Sequence, residues 1–280
     1  LVGVCDLAPE LLDQFTESWG ERWPNANTYT DYKQMLATEK LDILAVVTSE
    51  HRHADITVDG ARSGLKGVFC EKPLATSMED ADRMIAACEE NSVVLISGHT
   101  RRWRLLYHVV QEAVRAGAIG QLSTMVATLG GSRGKLFREG THIIDAMCFF
   151  AESEPAQVFA NVEAGYGEWD RYKGRGGKHP EDPGLSGFIL FHNGIRALYS
   201  GTRNSFLNVA LQLSGPDGQI YFGLNDHAAK LVTRDPSTGD LVSRSLVPKQ
   251  YQVFGLVAAY EELIDIIERS GPSVSPAREG

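Results

Sequence analysis

Residues Gly67–Thr76 read GVFCEKPLAT. An apolar run, Val68 to Cys70, closes on an acid, a lysine and a proline. Short apolar runs bounded by turn residues are what buried strands of a parallel sheet look like in sequence. Pro73 has no backbone N–H and biases the residue before it toward extended geometry, which predicts Glu71 and Lys72 at the point where strand gives way to loop. In open α/β sheets, ligands bind outside the carboxyl ends of the strands, so Lys72 is a candidate for chemistry. An isolated Glu-Lys-Pro is more often a solvated turn, and the neighbouring sequence has to decide.

On either side the same rhythm repeats. Leu1–Cys5 is an apolar run ended by Asp6, and Pro9 opens a helix with Leu11, Leu12, Phe15 and Trp19 on one side and Gly20 as its stop. Ile43–Val47 is the next run; it meets Thr48, Ser49, His51 and His53, and a helix rich in small residues follows. Beyond Pro73, Ser77 and Asp80 form a Ser-x-x-Asp capping pattern, Ala81, Met84, Ile85 and Cys88 keep helical spacing, and Val93–Ile96 is a further strand. Alternating strands and helices predict a doubly wound, Rossmann-type parallel sheet with right-handed crossovers.

A helix carrying Leu106, Val109, Val110, Ala113 and Val114 stops at Gly117, and the grammar then changes. Strands are predicted at Val158–Ala164, Gly187–Phe191, Ile195–Tyr199, Val209–Leu213, Ile220–Phe222 and Lys230–Thr233, with one helix near His142. Turn signals stand at His192-Asn193-Gly194 and Gly215-Pro216-Asp217-Gly218, and the only long polar loop is Gly165–Gly184. This predicts a second α/β domain built on a large, mostly antiparallel open sheet, closed by a helix from Gly255 to Arg269. The expected division is 1–103 and 104–280.

Composition excludes several partners. The 280 residues carry a formal charge of −9 with no lysine or arginine run, which argues against a nucleic-acid or anionic-membrane surface. No stretch of eighteen apolar residues offers a membrane span, and Leu1–Asp6 lacks the positive region of a signal peptide. Cys5, Cys70, Cys88 and Cys148 lie far apart in apolar or helical stretches, as in a reduced, cytoplasmic protein with buried thiols.

An acid at a strand end suggests a dinucleotide, whose pyrophosphate is cradled by a Gly-x-Gly-x-x-Gly turn some way before it. Leu1 lies only five residues before Asp6, so the expected strand and glycine turn would be encoded upstream. Gly174-Arg175-Gly176-Gly177 follows no strand, and Gly130–Lys135 lacks phosphate-loop spacing. His51-x-His53 could ligate a metal, but no cysteine or acid at ligand spacing completes a set, and no metal is expected.

The ordered set of Asp6, LDILAVVTSEHRHA (41–54), GVFCEKPLAT, SGHTRRW (97–103) and EGTHIIDAM (139–147) resembles the glucose–fructose oxidoreductase / inositol dehydrogenase / MocA family over almost the whole chain. The resemblance implies an NAD(P)-binding Rossmann domain and a C-terminal domain whose sheet walls the substrate and joins homo-oligomers. It implies hydride transfer between a secondary alcohol of a sugar or polyol and the nicotinamide. By the same resemblance Asp6 holds the adenosine ribose, favouring NAD over NADP, although an acidic turn or helix cap would also explain it. Thr48, Ser49 and His53 match the family's Thr-Pro-x-x-x-His loop, with Ser49 in place of the proline. Glu71, Lys72 and Arg101 fall on the cofactor side, with Arg101 open also to a substrate contact or a surface role. Lys72 matches the catalytic lysine and His142 the second catalytic position, with Asp145 on the same helix face; an ammonium or imidazole beside the hydroxyl stabilises or accepts its proton. Many members carry an acid four residues before this histidine. Here Arg138 stands there, either as a candidate contact for an acidic or phosphorylated substrate or pointing away and leaving Lys72 and His142 as the only acid–base groups. The family's usual final helix is also expected beyond Gly280. A silent dinucleotide-binding regulator, or an internal-redox lyase or glycosidase, are the alternatives that the resemblance leaves open.

Overall fold

The computed structural model describes residues 1–131, 136–164, 182–202, 205–206, 209–249 and 255–279. Two compact units divide the chain, Leu1–Ser97 with Leu263–Arg278 and Gly98–Glu262 with Glu279–Gly280.

In the first unit, β1 (Gly3–Cys5) and β2 (Asn27–Tyr29) form a parallel pair. A second parallel sheet runs β3 (Ile43–Val46), β4 (Gly67–Cys70), β5 (Val94–Ser97). Among the described residues no ladder joins β1 to β3. Between the strands lie α1 (Pro9–Trp19), α2 (Tyr32–Thr38), α3 (His53–Arg62) and α4 (Met78–Glu90). All four residues of β4 are buried, which is why that strand reads as an unbroken apolar run. Ala54, Val58 and Ala61 of α3 and Met84, Ala87 and Cys88 of α4 share one core with Leu44, Val46, Val68 and Cys70. The Ser77 hydroxyl accepts from Asp80 N at 3.2 Å, so the capping pattern fixes the start of α4 as expected.

Differences from expectation are local. Of the apolar side expected for α1, Leu12 is buried, but Leu11 and Trp19 are exposed. Gly20 caps α1 as expected, in a right-handed conformation. Neither α2 nor β2 was expected; both are too short to show a period, and α2 rests on its Asp31 cap, whose carboxylate accepts from Lys33 N at 2.9 Å.

The division at 103/104 is not where the compact units part. A helix near the end of the chain, α7 (Leu256–Arg269), contributes Leu263 and Ile267 to the first unit. A Cβ on Gly67 would lie 2.8 Å from Ile267 Cδ1 and 2.9 Å from Leu263 Cδ1, so this approach requires the glycine that opens GVFC. Further on, Pro276 bridges Ile96, and Ser275 Oγ donates to Ser97 O at 2.9 Å.

The second unit carries β6 (Thr124–Leu129), β7 (Pro155–Val162), β8 (Leu185–Phe191), β9 (Arg196–Gly201), β10 (Val209–Gly215), β11 (Gly218–Gly223), β12 (Ala229–Arg234) and β13 (Leu241–Leu246). They form one sheet ordered β13-β12-β11-β10-β6-β9-β8-β7. Every pairing is antiparallel except β6 with β9. Helices α5 (Leu105–Arg115) and α6 (Gly140–Ala151) supply Leu106, Val110, Ile143 and Met147 to a core with Met125, Ala197, Leu213 and Ile220. Tyr107, Phe150 and Phe222 pack mutually at ring distances of 5.5 to 5.7 Å, the last two edge to face. Gly117, at φ +77°, follows α5 in a conformation that favours glycine. Of the polar loop Gly165–Gly184, residues 165–181 lie outside the described residues, as do Gly174–Gly177 and most of Gly130–Lys135.

Candidate active site

In the first unit the candidate residues sit where strands end. Asp6 follows β1; its N–H continues the ladder to Tyr29 O at 3.1 Å, and its Oδ1 accepts from Ala8 N at 2.9 Å. One carboxylate oxygen therefore shapes the turn that leads into α1. After β3, Thr48 and Ser49 are exposed. His53 is buried and faces backbone on both sides, with Nε2 3.3 Å from Thr48 O and Nδ1 3.0 Å from Pro73 O. A neutral imidazole donates through only one of its two nitrogens, but either tautomer ties a strand-end loop to the start of α3.

Glu71 extends the β4 ladder through its N–H to Val46 O at 2.9 Å, and its own carboxylate accepts from Lys72 N at 3.2 Å. Lys72 is thereby held at the carboxyl end of the central strand, half-buried, with a cis peptide to Pro73. Asp6, Thr48, Ser49, His53, Glu71 and Lys72 all lie in this unit, after the ends of three strands, β1, β3 and β4.

In the second unit the candidates are set among buried charges. His142 and Asp145 lie on α6, and both are buried. Asp145 Oδ1 accepts from Arg102 Nε at 2.8 Å and lies 2.7 Å from its second nitrogen. Arg102 also donates to Glu279 at 2.5 Å. Burial works against the charge of Arg102, but Asp145 and then Glu279 outweigh it, and its pKa lies above the usual arginine value. His99, also buried, pairs through Nε2 with Thr141 Oγ1 at 2.9 Å and stands edge-on to His142 at 5.9 Å. Arg101 is half-buried and donates to Thr100 Oγ1 at 3.2 Å. Arg138 lies in the turn before α6, and its N–H donates to Asp182 at 2.9 Å. Among the described residues, no three His, Cys, Asp or Glu side chains gather closely enough to hold a metal.

Residues 1–99 match a Gfo/Idh/MocA model, an oxidoreductase family with an NAD-binding Rossmann fold. Over these 99 residues the chain is similar to that family. D-apiose dehydrogenase of Paraburkholderia graminis is 34% identical over 121 residues, covering 43% of this chain and 31% of that protein. Myo-inositol 2-dehydrogenase of Thermotoga maritima is 30% identical over 121 residues, 43% of this chain and 35% of that enzyme. The matched segment thus spans about a third of the length of these curated relatives. The crystal structure of aldose-aldose oxidoreductase from Caulobacter crescentus, complexed with glycerol, superposes with a TM-score of 0.82 at 21% identity, covering 100% of this chain and 84% of that one. At that identity the likeness establishes the fold.

The first unit's donor set fits the family's cofactor. Asp6 places a carboxylate at the end of β1, suited to a ribose diol, while the exposed hydroxyls of Thr48 and Ser49 and the Lys72 ammonium stand at the ends of β3 and β4. The residues that sequence missed are His99, Arg102, Asp182 and Glu279. Arg102 and His99 lie within the quoted SGHTRRW segment, but nothing in their spacing marks partners 43 and 42 residues away.

Proposed function

We propose that the chain is an NAD-dependent oxidoreductase that transfers a hydride between a secondary alcohol of a sugar or polyol and the nicotinamide. The observation that carries this is Lys72, held at the carboxyl end of β4 inside the segment that matches the family. The names of the relatives, dehydrogenases of apiose and inositol, support a sugar or polyol as substrate. In this proposal Asp6, Thr48 and Ser49 hold NAD, with Glu71, Lys72 and Arg101 on the same cofactor. When bound, NAD supplies the hydride acceptor.

The chain's own groups then manage the proton. Lys72 Nζ holds the alcohol oxygen and stabilises the charge that develops as its proton leaves, and His142 is the second acid–base group. Arg138 contacts the substrate. Asp145 is expected from sequence beside His142 in substrate binding; its buried pairing with Arg102 suits it better to orienting α6. His53, with both nitrogens on backbone, suits fixing the two strand-end loops between which the cofactor is placed.

We propose homo-oligomers through the outer face of the second unit's sheet. Phe159, Phe188, Leu198 and Val126 stand opposite one another across β7, β8, β9 and β6, and all but Phe188 are well exposed. Such a band is what interfaces cover. No helix among the described residues is long and apolar enough to cross a membrane, and the four cysteines are free; we propose a cytoplasmic location.

The test is reduction of NAD by the full-length protein with a panel of myo-inositol, D-apiose, other polyols and pyranoses. Reduction with at least one member supports the proposal. NAD binding without reduction by any of them would favour the silent regulator.

A further inference from the structure

Asp182 is a fully buried carboxylate with three backbone donors in a row. Its Oδ1 accepts from Leu136 N and Phe137 N, and its Oδ2 from Arg138 N, each at 2.9 Å. Successive amides that converge in a turn make an anion-binding concavity, and here the protein fills that concavity with its own charge. Hydrogen bonds to an ionised acceptor are roughly twice as strong as neutral ones, and an unpaired buried amide carries its full desolvation cost. Three such bonds favour the turn that the 136–138 backbone adopts.

The base that carries Asp182 is fixed as well. Glu163 N donates to Gly184 O at 2.8 Å and Gly184 N donates to the Glu163 carboxylate at 2.9 Å, which ties the end of β7 to the start of β8. Asp182 stands two residues before that clasp. On the far side, the turn runs directly into α6: His142 N donates to Glu139 O at 3.2 Å in the helix's first turn. The carboxylate thus connects the sheet's β7–β8 clasp to the backbone from which Arg138 and His142 project. The same charge reaches Tyr199 on β9, whose phenol is pushed up, first by burial and then by Asp182.

We propose that Asp182 is a positioning residue: by clamping the amides of Leu136, Phe137 and Arg138 it sets the turn that aims Arg138 and the start of α6 at the substrate. This rests on the sugar or polyol oxidoreductase function proposed above, but the clamp itself has a readout that needs no turnover. Asp182→Asn keeps the shape of the side chain, loses the charge and sets an amide N–H₂ against a backbone donor.

The test is amide hydrogen exchange on the full-length chain, together with steady-state kinetics on the panel substrate that the wild type oxidises fastest. In the wild type the amides of residues 136–138 should exchange as slowly as those of α6. In Asp182→Asn they should exchange at least tenfold faster. For substrate, kcat/KM should fall about 10²-fold, the scale of a roughly 1 Å misplacement, with NAD affinity changed much less. Asp182→Glu, which keeps the charge, should recover part of the protection and of kcat/KM. Fast exchange at 136–138 in the wild type, or an Asp182→Asn protein with unchanged exchange and kcat/KM, overturns the proposal. If Asp182→Asn does not fold, the wild-type protection and Asp182→Glu decide alone. A wild type that oxidises nothing on the panel while its 136–138 amides are protected refutes the sugar or polyol function and leaves the clamp standing.

Discussion

The first unit presents its candidate groups on strand ends, whereas the second sets its own beside a buried arginine–carboxylate pair and a buried carboxylate clamp. Asp6, Thr48 and Lys72 owe their places to where β1, β3 and β4 stop, and Lys72 is steadied by the residue before it in the chain. His142, Asp145 and Arg138 are surrounded by Arg102, Glu279, His99 and Asp182, each brought from elsewhere in the sequence. Strand ends alone place the groups proposed to meet the cofactor. The helix start proposed to face the substrate is tied by long-range pairs, at the cost of burying charges that need partners.

That contrast can be broken at several points. The largest effect expected is on chemistry: His142→Gln should lower turnover by about 10²–10⁴-fold, the range for a positioned acid–base group, with NAD affinity kept. Stability should suffer next. Arg102→Met leaves Asp145 buried without its cation and should cost about 3–5 kcal/mol, read as a lowered denaturant midpoint. The pair replacement Arg102→Met with Asp145→Leu should recover most of that stability. If turnover stays low after stability returns, the charges orient α6; if turnover returns too, they only fill the core.

A smaller effect is expected on cofactor choice. Asp6→Ala should weaken NAD by about 1.5–3 kcal/mol, the worth of hydrogen bonds to a charged acceptor, and weaken NADP less. Equal weakening in the two titrations would leave Asp6 only its role in the turn before α1. The smallest is Ser77→Ala, which removes the α4 cap and should cost about 1 kcal/mol without altering kcat or KM.

The same contrast explains what could be read from sequence. GVFCEKPLAT and the Ser77 cap were legible because strand, proline and cap signals act within a few residues. So were the antiparallel hairpins around Gly194 and Gly215, where turn chemistry is local. Arg102 with Asp145 spans 43 residues, Arg102 with Glu279 spans 177, and Asp182 with its amides 44 to 46, and no period or spacing announces such pairs. The return of α7 to Gly67 was hidden for the same reason, since the glycine's partner is known only once the chain has folded. At β13, five of six residues are exposed, so no apolar alternation marks it. Over α1 the periodicity promised more burial than Leu12 alone delivers.

The proposed function turns most directly on Lys72. Lys72→Met should be compared with the wild type in turnover per folded molecule, on the panel substrate with NAD, with folding checked by thermal melting. The expected result is a normal melt, NAD affinity close to wild type, and turnover reduced by about 10²–10⁴-fold. A normal melt with turnover at the parent rate would mean that Glu71-Lys72-Pro73 is only a strand-end turn, and would contradict the catalytic role assigned to it.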